Sequence, residues 1–555
     1  MPTHRLLRRG DAAFAVALFV SLTALSWLRW ASFQGDLNRE WTVPMRLAAG
    51  ERLWSEVGYY YGPLAPHAVA AAFRLFGATV ATYVGFALLS AAATLAALLA
   101  AGRRMLSPAA NAGAAAVAVG VLAFAPENGA FAAPYAMAAL LAVGLVWGAF
   151  LAAASGRAAL AGLLGALALL AKPETLPALL GVALAAGTWR SAARLVGTAG
   201  VLSAAGYGFA MAGIPVGDLV SYGPLRHFVM PPEFRELYLR VSGLHPSLLP
   251  RGVGGLLAGA ALLGGWALCA AALAKREGAR AAAGGALALA GLLVGAVVLR
   301  EPVVTTGVRG LPLLAALASV AAAVDLRRGE REARLPLAAS LVGLAFAWRT
   351  ALWTVPVYPY APLGAVSTLP AVAWLLACRI PAAAPPEARR RGALLAVVPL
   401  LLAPVLFLPR LVEFYRAPRT EVAGPAGRWF PPGDEGALFS RVAAHLRSVG
   451  VKDRDLVVLP EAGALSFLLG VRSPLRFEHV LPGCVDDRVD RDLADGLDRA
   501  RPARVVVVSR PTSEFGRSAF GRDYGTRIAA RLARDYAVEA TFAEGTAAAV
   551  VLRRR

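Results

Sequence analysis

Apolar and polar positions in this chain alternate on the scale of whole helices. Apolar runs approach the roughly 20 residues that a helix needs to cross a bilayer core, and short arginine-bearing breaks separate them. The pattern predicts about thirteen spans, near residues 12–30, 79–101, 112–126, 131–154, 158–171, 174–188, 192–212, 252–274, 281–299, 310–324, 335–352, 361–379 and 392–410. Several are short and rich in Ala and Gly, so neighbours such as 158–171 and 174–188 read as one re-entrant or broken element. Two polar stretches, 31–65 and 213–251, are too long to be simple connections. Within the first, Trp41 to Trp54 reads as a helix lying in the membrane interface, with Met45, Leu47 and Leu53 in lipid. The second reads as an interfacial helix over a cavity.

The period changes after residue 414. Asp455–Pro460 and Ala503–Ser509 have the continuous apolar character of buried strands, while Glu435–Val449, Leu493–Arg499 and Tyr524–Tyr536 repeat with helical spacing. The expectation is a multi-pass α-helical membrane protein of about 11–13 transmembrane helices over residues 1–414, followed by a soluble α/β domain over 415–555.

Composition agrees with the membrane reading. Of 555 residues, 58% are hydrophobic and only 16% charged, with a mean hydropathy of +0.58, which excludes an ordinary soluble protein. The net charge of +21 would suit a nucleic-acid binder, yet the arginines sit in short loops, where they set orientation. No nucleic-acid partner is expected. With Arg5, Arg8 and Arg9 inside, every second loop carries cytoplasmic-type arginine: Arg103–Arg104, Arg157, Arg190, Arg276 with Arg280, Arg327–Arg328 and Arg389–Arg391. The N-terminus is thus expected in the cytoplasm and the tail domain, after an odd number of spans, outside it. Met1–Arg9 and the apolar run behind it have the make-up of a secretory signal, but no small-residue cleavage site precedes Trp27 and Trp30, so a retained signal anchor is expected. The wealth of Ala, Arg and Gly is that of a GC-rich genome and points to a bacterial inner (plasma) membrane. Cys269, Cys378 and Cys484 stand apart, and no CxxC or His-rich spacing predicts a metal site.

Nucleotide-binding patterns are absent and no cytoplasmic loop is long enough for a nucleotide-sugar domain, so any active site is expected on the outer face. An enzyme there needs a membrane-borne activated substrate such as a polyprenyl-phosphate sugar. Glycosyl transfer requires a carboxylate to take the acceptor proton, and cations or hydrogen-bond donors for the departing phosphate. Asp36, just outside the first span, is placed for the first task; the bland alternative is a loop-solubilising or capping carboxylate. Arg39 and Glu40 lie one helical turn away. Candidate cations are Arg39, Lys172, Arg226, His227, Arg300 and Arg309, with helix-end snorkelling the competing reading of Arg309. Tyr59, Tyr60 and Tyr61 form either a sugar-stacking platform or part of the interfacial aromatic belt, and Glu56 either binds substrate or is solvated. Lys172-Pro173-Glu174 interrupts an apolar run, which marks either a charged site or a tight proline turn. His227 reads as a base, a phosphate contact, or neither.

One set of residues also carries a family resemblance. Gly35-Asp36, then Ala48-Ala49-Gly50-Glu51-Arg52-Leu53-Trp54, Tyr61-Gly62-Pro63-Leu64-Ala65-Pro66 and Leu75-Phe76-Gly77 resemble the first outer loop of the GT-C superfamily of membrane glycosyltransferases. Within it, the likeness is to bacterial relatives of protein O-mannosyltransferases and to the lipid A aminoarabinose transferase. Leu169-Leu170-Ala171-Lys172-Pro173-Glu174 resembles the lysine-bearing break at the outer end of a span in those proteins. The resemblance implies an inverting transferase with a polyprenyl-phosphate-linked sugar as donor, Asp36 as base, an extracytoplasmic acceptor (lipid, glycan or protein), membrane lipids around it, and no cofactor. The family often has a second acid directly after the first-loop Asp, where this chain has Leu37, and that leaves acceptor type and any divalent-cation role open. Two rival readings are a transporter or flippase of lipid-linked saccharides and a non-catalytic polysaccharide-assembly subunit. Nearly charge-free span centres favour the enzyme.

Overall fold

The computed structural model describes residues 2–33, 35, 37–126, 130–132, 136–229, 231–275, 290, 294, 298–299, 301–352 and 360–555. Apolar runs became helices, because a helix satisfies its own backbone hydrogen bonds where no water does. Among the described residues six helices are long and apolar enough to cross a membrane: Val80–Gly102, Met137–Ala154, Leu249–Ala274, Pro302–Arg327, Ala361–Ala383 and Pro386–Arg416. Trp189–Met211 and Val216–Tyr222, bent by 98°, make a seventh if taken as one span, and four shorter apolar helices accompany them, Ala12–Ser26, Leu64–Phe76, Pro108–Ala123 and Ala158–Ala171. Apolar side chains such as Leu89, Val201, Phe209, Leu268, Val320 and Val405 stay exposed, the surface that a bilayer covers. The chain is a multi-pass helical membrane protein with a C-terminal α/β domain. The span expected at 281–299 lies almost wholly outside the described residues. The stretch 301–309, which the pattern leaves between two expected spans, is instead the first part of the helix Glu301–Arg327.

The helix Pro386–Arg416 leads into the tail domain. There β1 (Val422–Gly424) and β2 (Gly427–Trp429) form a small hairpin, while β3 (Leu456–Leu459), β4 (Arg504–Val508), β5 (Tyr536–Glu544) and β6 (Ala547–Arg554) make one sheet in the order β3-β4-β6-β5. The two valine-rich strands expected from the sequence are β3 and β4; they pair in parallel, Leu456 opposite Arg504 and Leu459 opposite Val507. The expected helices are Glu435–Ser448, Asp487–Ala500 and Thr526–Asp535. Sequence reading missed the hairpin of β5 and β6, whose Ala-rich strands show little period-2 contrast.

The first loop is where body and tail meet. Leu37–Ala48 is helical, but Trp41, Met45, Leu47 and Leu53 are buried in protein, not lipid. Trp41 packs edge-on against Trp429 with ring centroids 5.2 Å apart and against Phe467 at 5.0 Å. Trp429 also lies 6.0 Å from Trp30, and its indole N–H donates to the Ala31 carbonyl at 2.9 Å. The apolar positions that an isolated reading assigns to the membrane are covered by protein: the tail domain packs on Trp41, while Leu47 and Leu53 cluster with Val43, Ala70, Ile214 and Leu219. The 213–251 segment also docks on the tail: the Tyr222 hydroxyl meets Asp492 at 2.9 Å, Arg488 meets Asp218 at 2.6 Å, and Arg517 meets Glu233 at 2.5 Å. The tail domain and the two long polar loops therefore occupy one side of the helical body.

Replacing Trp429 with Ala removes a buried ring shared by loop and tail, a loss of about 3–5 kcal/mol for this type of truncation. The expected outcome is faster proteolytic release of the tail domain from detergent-solubilised protein. Digestion at the wild-type rate would show that these rings do not hold it.

Candidate functional site

The helix Ala158–Ala171 stops because Pro173 disfavours helical backbone at the residue before it. Lys172 is accordingly extended, at φ −154° and ψ 105°, and leaves the helix as a buried side chain. The turn Pro173–Thr175 follows, fixed by the Thr175 hydroxyl donating to the Lys172 carbonyl at 2.8 Å. Glu174 in this turn is ion-paired with both Lys172 and Arg349, the latter from the turn Trp348–Thr350.

Tyr61 brings the first loop to this ion pair. The tyrosine run divides between two surroundings. Tyr60 enters the tail-domain core, packed 5.2 Å from Phe477 with its hydroxyl donating to the Cys484 carbonyl at 3.1 Å. Tyr59 and Tyr61 meet edge-on at 5.6 Å. The Lys172 ammonium lies 4.4 Å from the centroid of the Tyr61 ring and the Arg39 guanidinium 4.6 Å, within cation–π range. Arg39 also donates to the Tyr61 hydroxyl at 3.2 Å and pairs with Glu40 at 3.6 Å. His227 stacks on Tyr61 with centroids 5.7 Å apart, Tyr238 approaches His227 Nδ1 at 3.4 Å, and Arg349 lies 5.2 Å from the centre of the Tyr238 ring. His227 Nε2 and the Tyr59 hydroxyl oxygen are buried and have no hydrogen-bond partner among the described residues.

Burial and mutual charge set the protonation of the cluster. Burial draws Lys172, in the turn outside the helices, from 10.5 down to about 8, with Glu174 opposing the fall and Arg349 adding to it. Burial pushes Glu174 up, but its two cations outweigh this and bring it down to about 2. Burial, then Lys172, lowers His227 to about 4, so it is neutral at ordinary pH. Among the described residues, three cations, Arg39, Lys172 and Arg349, and two carboxylates, Glu40 and Glu174, gather around Tyr61. Behind the ion pair, between Val143, Phe346 and Leu363, is a cavity of about 40 Å³, well below the roughly 300–1,000 Å³ of ligand sites.

Of the residues singled out from sequence, the structure gathers Arg39, Glu40, Tyr59, Tyr61, Lys172, Glu174 and His227. It separates others. Tyr60 belongs to the core just described. Glu56 is exposed, accepts from the Arg52 amide at 2.6 Å, and borders a different cavity with Arg46, Arg454 and Arg476. Arg226 is a tie to the tail, donating to the Gly483 carbonyl at 2.7 and 3.1 Å and to Asp486 at 2.5 Å. Arg309 sits within the helix Glu301–Arg327. Asp36 and Arg300 lie outside the described residues. Arg349 and Tyr238 were missed as site residues, because an arginine beside a tryptophan at a span end looks like any interfacial anchor. Among the described residues no group of three or more His, Cys, Asp or Glu side chains is arranged to hold a metal ion.

No family model and no curated protein matches this chain. Among solved structures it is similar to ArnT from Cupriavidus metallidurans bound to undecaprenyl phosphate, with 14% identity and a TM-score of 0.49 over 98% of this chain and 97% of that one. It is also similar to the archaeal oligosaccharyltransferase AglB from Archaeoglobus fulgidus in complex with an inhibitory peptide and a dolichol-phosphate, with 11% identity and a TM-score of 0.44 over 97% of this chain and 73% of that one.

Lys172 is expected to titrate near pH 8, well below an ordinary lysine, and lower still in Glu174→Gln, because the carboxylate holds the proton on. Lysine-selective NMR or pH-dependent acylation followed by mass spectrometry reads this. A rise in Glu174→Gln would contradict the pairing.

Proposed function

We propose that this chain is a GT-C-type glycosyltransferase that moves a sugar from a polyprenyl-phosphate-linked donor to an acceptor outside the cytoplasm. The observation that carries this reading is the Tyr61 ring flanked by Lys172 and Arg39, with Arg349 joined through Glu174. The donor's phosphodiester carries one negative charge and the departing polyprenyl phosphate gains a second, and a partly desolvated set of cations binds that growing charge more strongly than the same set in water. His227, neutral, offers Nε2 as a further hydrogen-bonding group.

Asp36 is the base in this scheme. It takes the proton from the acceptor hydroxyl, whose oxygen attacks the anomeric carbon from the face opposite the phosphate. The bond from that carbon to the phosphate oxygen breaks, and the polyprenyl phosphate leaves with the electron pair, its charge met by Lys172, Arg39 and Arg349. One displacement inverts the anomeric centre. Because the phosphate is already a good leaving group, no second carboxyl acid is required. The arginine pattern of the loops supports placing the first loop and the tail domain outside a bacterial inner membrane. The concentration of charge at a helix end and in the loops supports an enzyme over a transporter, which places ionisable groups at the membrane midplane.

Release of polyprenyl phosphate from a panel of polyprenyl-phosphate sugars tests the reading. Asp36→Asn and Lys172→Met are each expected to lower turnover by about 10²-fold or more with normal membrane insertion; an unchanged rate in Asp36→Asn sinks the assignment of the base. The free enzyme's kcat/KM should fall as pH rises through about 8, because Lys172 then loses the proton that makes it a cation. Lys172→Arg should shift that limb to higher pH.

A further inference from the structure

Glu56, set apart from the Tyr61 cluster, lines a cavity of about 470 Å³ between the first loop, the 213–251 segment and the tail domain. That volume falls within the roughly 300–1,000 Å³ of ligand sites. Part of the lining is fully engaged within the protein. Arg46 spends its three nitrogens on Glu51, the Leu475 carbonyl and the Glu56 carbonyl, at 2.7, 2.6 and 3.0 Å. Glu51 in turn also holds Arg454 at 2.9 Å and Arg472 at 3.4 Å. Elsewhere in the wall the Arg476 guanidinium lies 4.1 Å from the centroid of the Tyr222 ring, and the Tyr222 hydroxyl is tied to Asp492 at 2.9 Å. These bonds join the three segments and hold the cavity in shape.

Other lining groups keep hydrogen-bonding capacity. Arg499, exposed in the last turn of the helix Asp487–Ala500, makes no ion pair or side-chain hydrogen bond among the described residues. Arg454 spends one nitrogen, on Glu51, and Arg476 one terminal nitrogen, on Asp218 and the Trp54 carbonyl. Among the carboxylates, Glu56 uses one oxygen on the Arg52 amide and Asp492 one on the Tyr222 hydroxyl. A guanidinium only donates and a carboxylate only accepts, so the cavity has both positive donors and negative acceptors left over. A simple anion answers the arginines alone, and a cation the carboxylates alone. We infer that this cavity binds a saccharide carrying an anionic group, a phosphate or a carboxylate. The anionic group takes the arginine forks, and the sugar hydroxyls donate to Glu56 and Asp492. Pro474 and Ala500 line the same cavity and offer apolar surface to the C–H groups of the ring.

The lining shares no residue with the Tyr61 cluster, so occupancy of the cavity is measurable whether or not the chain transfers a sugar. The test is saturation-transfer NMR on full-length protein in nanodiscs, titrated separately with glucose 6-phosphate, glucuronate, glucose and inorganic phosphate. Glucose 6-phosphate or glucuronate should bind more tightly than both glucose and phosphate, and the tighter of the two identifies the anionic group. Arg499→Ala and Arg454→Ala should each weaken that binding by about 10-fold or more. Both side chains are at the surface, and Glu51 keeps Arg46 and Arg472 when Arg454 is lost. Arg499→Lys keeps the charge at the helix end but not the planar fork, and should recover only part of the loss. Arg522→Ala, which removes an exposed arginine outside the cavity, should leave binding unchanged. Because Glu56 comes from the first loop and the arginines from the tail, the bound sugar should also slow proteolytic release of the tail. If neither anionic sugar binds more tightly than both glucose and phosphate, the ligand class is overturned. Binding that survives Arg499→Ala and Arg454→Ala unchanged overturns its place in this cavity.

Discussion

A charge placed in an apolar surround must be matched by another charge, a hydrogen bond or an aromatic face. Around Tyr61 that constraint decides which parts of the chain meet. Lys172 is buried by a proline-induced helix stop and needs Glu174. Glu174 has a second oxygen, which takes Arg349 from beyond residue 340. Arg349 lies against Tyr238, Tyr238 against His227, and His227 on Tyr61, which in turn is faced by Arg39 of the first loop. Segments far apart in sequence are joined because each leaves a polar group that the next one satisfies.

The same economy explains the tail domain. A helix such as Leu37–Ala48, with tryptophan and methionine on one side and arginines and a glutamate on the other, is stable only where both faces find partners. Lipid would serve the first face and water the second. Here Trp429 and Phe467 cover the aromatic side. Arg46 of the same helix reaches Glu51 at 2.7 Å and the Leu475 carbonyl of the tail at 2.6 Å. The tail therefore covers the Trp41 side of the loop helix, while Ala70, Ile214 and Leu219 cover Leu47 and Leu53, and this burial lowers the local dielectric in which the neighbouring cations act.

Much of the architecture was legible in the linear pattern, for reasons that are local. A run of about 20 apolar residues has few fates besides a span; the spans at 79–101, 131–154, 252–274 and 392–410 correspond to long helices. Leu456–Leu459 and Arg504–Val508 were visible as strands because consecutive buried β-branched residues suit a pleated sheet covered on both faces. Lys172 and Glu174 stood out because Pro173 and two charges inside an apolar run are costly without a structural or chemical reason.

What sequence left undecided was the partner of each group, and that is a long-range property. Glu40 and Glu56 are both first-loop glutamates, yet one is buried beside Arg39 and the other accepts a backbone amide at the exposed edge. Tyr60 and Tyr61 are adjacent, yet the first packs in the tail core and the second lies against Lys172. Arg226 and Arg349 look alike as loop arginines, but the first fastens the tail through Gly483 and Asp486 while the second completes the ion pair at Glu174. By itself the sequence determined the membrane body, the α/β tail and the charged break at 172–174, because hydrophobic period, strand composition and proline act within one segment. Only the tertiary structure decided which charges converge on Tyr61 and that the amphipathic first-loop helix faces protein, because those outcomes depend on which distant surface arrives to satisfy each buried group.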